Sequence, residues 1–189
     1  MPRSGVEARD KLRAAALELY ALQGYDGTTT AQIAARAGVN HRTFFRHFTD
    51  KREVLFGGEA QAHRSLAEDV ANAPAQARPA EVLLHAFEQA ARTLDGEADA
   101  AVSRLRIIAA NPALQERDLA KGAALTQTLA SGLHQRGVPT HLAILLAAMG
   151  WAAYQQATAR WVGDPSQSLS RHLRTAFADL HEAAANLSS

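Results

Sequence analysis

The sequence has no cysteine, few aromatic residues and no long apolar run. The absence of cysteine excludes a disulfide framework, a thiolate zinc site and a cysteine nucleophile. The longest uncharged and mostly apolar run, Leu142–Tyr154, has 13 residues, whereas a membrane-spanning helix needs about 20. Met1–Lys11 carries charges throughout and has no apolar core, so no signal peptide is expected. We therefore expect a soluble, cytoplasmic protein with no membrane partner.

Positive and negative charges are nearly equal in number over the whole chain, but they are unevenly distributed along the sequence. Lys and Arg total 20 against 19 Asp and Glu, which argues against a basic coat protein and against an acidic disordered chain. Residues 1–55 hold nine basic and six acidic residues, and residues 56–189 hold eleven and thirteen. A basic first third indicates a segment that could face phosphate.

Alanine and proline together predict an all-α fold. Alanine, the best helix former, occurs 42 times, and the six prolines stand at plausible breaks between helical patterns. On the first helix, an apolar stripe is formed by Leu12, Ala15, Ala16, Leu19 and Leu22. The patterns predict about nine helices, at 6–23, 30–37, 41–47, 51–72, 79–94, 97–110, 113–136, 139–162 and 166–187. Helix length changes near residue 50, so we predict domains at 1–50 and 51–189.

Residues 24–55 carry the signals of a helix-turn-helix. Thr29 and Gln32 have the spacing of a capping box, which opens a short helix. Gly38-Val39-Asn40 then supplies a glycine turn and an asparagine that caps a second short helix. Two short helices joined in this way form a helix-turn-helix, whose second helix enters the major groove of DNA. A further pair with capping spacing, Asp50 and Glu53, starts the next helix.

The second short helix carries the candidate DNA-reading residues. Arg42 could donate to guanine O6 and N7, and His41 could contact a base edge or a phosphate. Asn40 and Thr43 could bond bases or phosphates. Lys51, Thr29 and Thr30 stand in or beside first turns of helices, where a phosphate is favoured. Phe44 and Phe48 are expected in the core, and Arg46 could equally be solvated.

The order of these residues resembles the DNA-binding domain of the TetR family of bacterial transcriptional regulators. The matching residues are Gly24–Thr29, Ile33-Ala34, Ala37–Asn40, Thr43–Phe45, His47-Phe48 and Asp50–Leu55. The family pattern often has phosphate-binding tyrosines where Phe45 and His47 stand. The resemblance implies that His47 donates to a phosphate and that Phe45 makes only van der Waals contact with sugar. The predicted DNA contacts are Thr29, Thr30, Asn40, His41, Arg42, Thr43, Phe45, Arg46, His47 and Lys51.

The same resemblance implies that the rest of the chain is a larger helical domain for effector binding and dimerisation. Arg104 and Arg106, in an apolar helix, could hold an anionic group, or each could be a surface arginine. The run 104–114 resembles regulators that sense acyl-coenzyme A or similar lipidic molecules, so an apolar or acyl-coenzyme A-like effector is expected. The candidate ligand-binding residues are His63, His85, Phe87, Arg104, Arg106, Trp151 and Tyr154.

The last two predicted helices are candidates for a dimer interface. The helix at 139–162 is strongly apolar and alanine-rich, so it and the last helix could pair with their copies as a four-helix interface. The alternative is an ordinary monomeric core. The resemblance implies a homodimeric repressor of a palindromic operator on double-stranded DNA, released by a small-molecule effector.

Two other classes of function stay open. Enzyme activity is disfavoured, because no zinc-binding histidine spacing, glycine-rich phosphate loop or serine elbow occurs. We therefore expect no catalytic residue, no metal and no cofactor. The second alternative is a regulator-like protein that has lost DNA binding and acts as a protein-interaction module. Weak, salt-insensitive DNA binding would favour it.

Overall fold

The computed structural model describes residues 3–186, apart from the side chains at positions 3, 4 and 59. Within that range the chain is all-α, as predicted, and forms ten helices. They are α1 (Arg3–Gln23), α2 (Thr30–Arg36), α3 (His41–His47), α4 (Glu53–Phe56), α5 (Glu59–Asn72), α6 (Pro79–Asp95), α7 (Ala98–Ala109), α8 (Pro112–Gln135), α9 (Thr140–Gly163) and α10 (Leu169–Asn186). Residue 187, the end of the last predicted helix, lies outside the described residues.

The prediction of a single helix over 51–72 was wrong, because the chain breaks there at two glycines. The four-residue α4 ends at Gly57, and α5 begins at Glu59. The guanidinium of Arg9 donates to the Gly57 carbonyl oxygen. A Cβ at Gly57 would lie 2.9 Å from the Glu53 carbonyl oxygen and 3.2 Å from Cε1 of Phe48. Close packing at this position therefore accounts for a break that the helical periodicity does not show.

The chain divides into two compact units. The first comprises the residues up to Glu59 together with Asp99–Glu116, and the second comprises Ala60–Ala98 and the chain from Arg117 onward. The domain boundary after residue 50 stays a prediction. In the first unit, α1 packs against α2, α3 and α4. Its core is formed by Leu12, Ala15, Ala16, Tyr20, Ile33, Ala34, Phe44, Phe48, Val54, Leu55, Phe56, Ile108 and Leu114.

The apolar stripe predicted on α1 is correct at its start and wrong at its end. Leu12, Ala15 and Ala16 are buried, whereas Leu22 is 75% exposed. Tyr20 takes the next core position instead. Leu22 lies beside the last residue of α1, where the chain turns away at Gly24, whose φ is 78°. Glycine adopts this left-handed conformation without strain, and it commonly ends helices.

The second unit is a helical bundle in which α10 packs against both α9 and α6. The carboxylate of Asp95, at the end of α6, caps α10: it accepts from the Leu169 N–H at 2.7 Å and from the Ser170 hydroxyl at 2.7 Å. Arg136 donates to the carbonyl oxygens of Ala73 and Pro74 at 2.8 and 2.7 Å. These contacts tie residues far apart in sequence into one unit.

Candidate nucleic-acid interface

The helix-turn-helix consists of α2, a turn at residues 37–40, and α3. The N–H of Gly38 donates to the Ala35 carbonyl oxygen at 3.1 Å, and that of Val39 donates to Ala34 at 3.0 Å. This pair of bonds closes the end of α2 with a left-handed residue, which is Gly38 at φ 69°. The predicted glycine turn is therefore confirmed.

Side chains cap both helices of the motif as predicted. The Thr29 hydroxyl accepts from the Gln32 N–H at 3.2 Å, and the Gln32 side chain accepts from the Thr29 N–H at 2.8 Å. The Asn40 side-chain oxygen accepts from the N–H and the hydroxyl of Thr43, at 2.8 and 3.1 Å. The two N–H donors of the Asn40 amide group have no partner among the residues that the structure describes. The caps therefore fix where each helix begins without using that group.

The two faces of α3 differ sharply. Successive residues of a helix are about 100° apart, so seven residues fill both faces. Phe44 is fully buried beneath α3, and Phe48, which follows the helix, is also buried. Thr43 and His47 are half-buried. The exposed residues share the opposite arc of the helix: they are His41, Arg42, Phe45 and Arg46.

Two arginines on the outer face of α3 are not engaged by the protein. Among the described residues, neither Arg42 nor Arg46 makes a hydrogen bond or an ion pair, and both are exposed. Guanidinium groups in this state can donate to base edges or phosphates without first breaking an internal contact. By contrast, Arg36 at the end of α2 pairs with Glu18 of α1.

One hydrogen bond connects the start of α2 to the start of α3. The Thr30 hydroxyl lies 2.8 Å from Nε2 of His41. The His41 ring in turn contacts the ring of Phe45 edge-on, with centroids 5.0 Å apart. These contacts hold His41 at the outer surface with its Nδ1 as the nitrogen left for an external partner.

His47 is less accessible than the sequence indicates. Its Nε2 is buried and has no hydrogen-bond partner among the described residues. The predicted phosphate contact of His47 is not tested by this arrangement and stays a prediction. A buried ring nitrogen without a partner is costly, and in this position Nε2 does not face the outer surface of α3.

Lys51 makes contacts that the sequence did not predict. Its ammonium group donates to the carbonyl oxygens of Tyr25 and Thr28, at 2.8 and 3.0 Å. It also lies 4.4 Å from the centroid of the Tyr25 ring, a cation–π distance. These bonds tie the loop between α1 and α2 to the start of α4. To bind a phosphate as predicted, the Lys51 ammonium group would have to keep these bonds and make a further one, or exchange one of them for the phosphate.

Tyr20 is the structural residue that the sequence analysis missed. Its hydroxyl donates to the Lys51 carbonyl oxygen at 2.6 Å, and its ring lies 5.3 Å from that of Tyr25. Burial, followed by the nearby Tyr25 and Asp50, raises the pKa of Tyr20 far above its ordinary value. The hydroxyl therefore stays protonated and donating. The available signal was the helical spacing from Ala16 to Tyr20, which places Tyr20 on the buried face of α1.

Three of the candidate ligand-binding residues come together in the second unit. Phe87 of α6 stacks on Tyr154 of α9 at 5.1 Å between centroids, and Tyr154 stacks on Trp151 at 5.4 Å. Phe87 is fully buried, whereas Trp151 and Tyr154 are half-buried. Trp151 lies directly on α8, since a Cβ at Gly122 would be only 2.5 Å from its Cζ2.

The other four candidates do not join this aromatic stack. Arg104 belongs to the first unit, where it donates to the Leu55 carbonyl oxygen at 3.1 Å. Arg106 is exposed on the same helix. His63 is half-buried on α5, and His85 is exposed on α6 beside Gln89, at 3.2 Å. Their role in ligand binding stays a prediction.

Within the part of the chain that the structure describes, no three or more histidine, aspartate or glutamate residues cluster so that they could hold a metal ion. None of the helices in that part combines the length and apolar character needed to cross a membrane.

Comparisons with known proteins agree with this geometry. The sequence pattern of the bacterial regulatory proteins of the tetR family matches residues 12–56, and that of the MftR C-terminal domain matches residues 77–185. The HTH-type transcriptional regulator TcmR of Streptomyces glaucescens is 34% identical over 112 residues, 56% of this chain and 50% of TcmR. The chain thus matches half the length of that relative.

Two further relatives match nearly the whole chain. MftR of Mycobacterium tuberculosis, named for a proposed role in regulating mycofactocin biosynthesis, is 27% identical over 173 residues, 86% of this chain and 83% of MftR. The structure of Thermus thermophilus FadR, a TetR family transcriptional repressor in complex with lauroyl-CoA, shares 27% identity at a TM-score of 0.57. It covers 92% of this chain and 93% of FadR. The protein therefore belongs to the TetR family of bacterial transcriptional regulators, and its larger helical part is of the MftR C-terminal type.

Proposed function

We propose that the protein is a homodimeric repressor that binds a palindromic operator and is released from it by a small-molecule effector. The observation that carries DNA binding is the outer face of α3, where Arg42 and Arg46 are exposed and unengaged by described residues. The helix α3 follows the turn that Gly38 closes, and its outer face is exposed. The second helix of a helix-turn-helix that enters a major groove has this form. Such a regulator acts in the cytoplasm, and we propose no catalytic activity for it.

The predicted contacts divide into two groups. Asn40, His41, Arg42 and Thr43, at the start of α3, are proposed to read bases. Thr29, Thr30, Arg46 and His47 are proposed to contact the DNA backbone and set the register of the protein, and Phe45 is proposed to lie against the duplex beside them. Lys51 was predicted to bind a phosphate as well. Since its ammonium group already donates to protein carbonyl oxygens, we propose that its main role is to position the loop before α2.

An exposed apolar face on α9 supports the dimer. Leu142, Ile144 and Leu145 are exposed by 42, 56 and 54%. Contiguous exposed apolar residues on one helix mark a surface that another molecule covers. A palindromic operator needs a two-fold protein, and we propose that a second copy of α9 and α10 covers this face. Leu145 gives the most direct test.

The proposed effector is apolar or acyl-coenzyme A-like, bound in the second unit near Phe87, Trp151 and Tyr154. The support is similarity over nearly the whole chain to a FadR whose structure contains lauroyl-CoA. Effector binding is proposed to change the separation of the two α3 helices in the dimer. Both half-sites could then no longer be contacted at once, and affinity would fall.

The test of this proposal is selection from a pool of randomised duplex DNA, followed by sequencing of what the protein retains. Wild type should enrich a palindrome, and a variant with Arg42 and Arg46 both changed to Ala should not. The matched control changes Arg64 and Arg92, two exposed arginines of the second unit that lie outside α9 and α10, and should enrich the same palindrome. Repeating the selection after unfolding and refolding removes any bound effector.

A protein-interaction module that has lost DNA binding is the competing function. It would enrich no sequence before or after refolding, and its residual DNA affinity would hardly depend on salt. That result would refute the proposed repressor.

A further inference from the structure

Phe45 stands in the middle of the outer face of α3. It follows His41 by four residues and Arg42 by three, so all three lie on one side of the helix. Its side chain is 52% exposed although it is a large apolar group. Any duplex that brings Arg42 to a base edge therefore also brings the Phe45 ring to the duplex.

The chemistry of Phe45 restricts what it can contact there. The ring has no donor or acceptor, so it cannot hydrogen-bond a phosphate or a base edge. In the major groove, each base presents hydrogen-bonding groups, and thymine alone among the four presents a methyl group, at C5. Contact with that methyl group is the one form of direct readout open to a phenyl ring.

The ring is also held in place before DNA arrives. Its edge contacts with His41 and Phe44 have centroid distances of 5.0 and 5.4 Å. Phe44 is fully buried and therefore a fixed support, and His41 is bonded to Thr30. A pre-ordered side chain loses little conformational freedom on binding, so most of its contact free energy appears as affinity.

We propose that Phe45 is a specificity-determining residue that reads the methyl group of one thymine in each half-site. The inference rests on the proposed DNA binding. It adds one thymine to the bases that the start of α3 is proposed to recognise. It goes beyond the nonspecific sugar contact expected from the sequence.

The test replaces each thymine of the selected operator, one at a time, by deoxyuridine, which lacks only the methyl group. For wild type, one position in each half-site should weaken binding about fourfold, and the symmetric pair about fifteenfold, since one buried methyl is lost at each. If no deoxyuridine substitution weakens wild type, the inference is wrong. If no operator is selected at all, the proposed function itself fails, so the two failures are distinct.

Variants of Phe45 then assign the contact. Phe45→Ala should bind the thymine and deoxyuridine operators equally, whereas Phe45→Leu, which keeps an apolar side chain, should retain part of the thymine preference. Leu22→Ala removes an exposed apolar side chain elsewhere in the first unit and should leave the preference unchanged.

Thr43 also carries a methyl group that could approach thymine. Thr43→Ser removes that methyl and should leave the deoxyuridine effect intact. An undiminished effect in Phe45→Ala, or its loss in Thr43→Ser, would assign the methyl contact to another residue and overturn the inference. Thermal melting of each variant shows whether it is folded. If Phe45→Ala is unfolded, Phe45→Leu carries the assignment, and an undiminished deoxyuridine effect in it would overturn the inference.

Discussion

The ammonium group of Lys51 lies over the ring of Tyr25, 4.4 Å from its centroid, and donates to the carbonyl oxygen of the same residue at 2.8 Å. One lysine thus holds both the side chain and the backbone of a loop residue 26 positions earlier. A further bond to Thr28 at 3.0 Å reaches the residue just before the cap of α2. The position of the motif's first helix therefore depends on a residue that follows its second.

Lys51→Ala should lower the free energy of unfolding by about 1–3 kcal/mol, because hydrogen bonds to a charged group are among the stronger ones. Chemical denaturation measures this. The slope of log affinity against log salt concentration should stay near that of wild type, since the proposed role of Lys51 is positional.

Lys11→Ala is the control for Lys51, because it removes the same charge from an exposed ion pair with Glu7. It should change stability by less than about 0.5 kcal/mol. If Lys51→Ala instead lowers the salt slope by about one unit and leaves stability unchanged, Lys51 is a phosphate ligand, as the sequence predicts.

Arg42→Ala should weaken operator binding by about 1–3 kcal/mol and relax the preference at a single base pair. The reason is that an exposed guanidinium at the start of α3 can donate twice to guanine. Affinities for operators with each base at each position measure this effect. The control Arg92→Ala removes an exposed arginine on α6 of the second unit and should leave the whole profile unchanged. Equal weakening for every sequence would make Arg42 a phosphate contact.

The helix-turn-helix could be predicted from sequence because its signals are local. The Thr29–Gln32 box, the Gly38 turn and the Asn40 cap each depend on residues within five positions of one another, and all three are present. The break between α4 and α5 could not be predicted in the same way. It depends on Arg9 and Phe48 lying against Gly57, and only the tertiary fold brings these together.

The candidate ligand residues show the same limit. Phe87, Trp151 and Tyr154 are the aromatic members of this predicted set, and the structure stacks them. Arg104 is a candidate because it interrupts an apolar helix, yet its guanidinium donates to the carbonyl oxygen of Leu55 in α4, within the first unit. Residue type alone does not tell which unit a helix joins, because residues 99–116 are far in sequence from their partners.

Asp50→Ala should cost about 1 kcal/mol of stability at neutral pH, because it removes the acceptor of two backbone N–H groups. The Asp50 carboxylate accepts from the N–H groups of Arg52 and Glu53, at 2.8 and 2.9 Å. Partial burial is the largest single influence and raises its pKa, but the bonds from Arg52 and Glu53 together outweigh it and hold the pKa below the ordinary value.

The pH dependence follows from the direction of that shift. A lowered pKa in the folded state means that Asp50 stabilises the protein fully above its ordinary pKa of about 3.9. The contribution is lost as pH falls from there through the lower folded value. The stability difference between wild type and Asp50→Ala should thus shrink in that range. Asp10→Ala, at an exposed site, is the control, and a gap that stays constant with pH would contradict the prediction.

Leu145→Arg should convert the dimer to monomer and weaken operator binding more than tenfold. A buried charge without a partner opposes association, and a monomer contacts one half-site only. Analytical ultracentrifugation and operator titration measure the two effects. Leu119→Arg, at a site on α8 that is 63% exposed, is the control and should leave the protein dimeric. A Leu145→Arg protein that stays dimeric would place the interface elsewhere.

Gly122→Ala should destabilise the protein by about 1–3 kcal/mol, although alanine is ordinarily the better residue inside a helix. A Cβ at this position would lie 2.5 Å from Cζ2 of Trp151, so the indole must move and disturb its stack on Tyr154. Denaturation followed by tryptophan fluorescence reports both the stability and the indole environment. Gly163→Ala, where a Cβ meets nothing within 4 Å, is the control and should be neutral or stabilising. Equal effects at both glycines would show that the Trp151 indole can move without lowering the free energy of unfolding. The space beside α8 would then be open to the proposed effector.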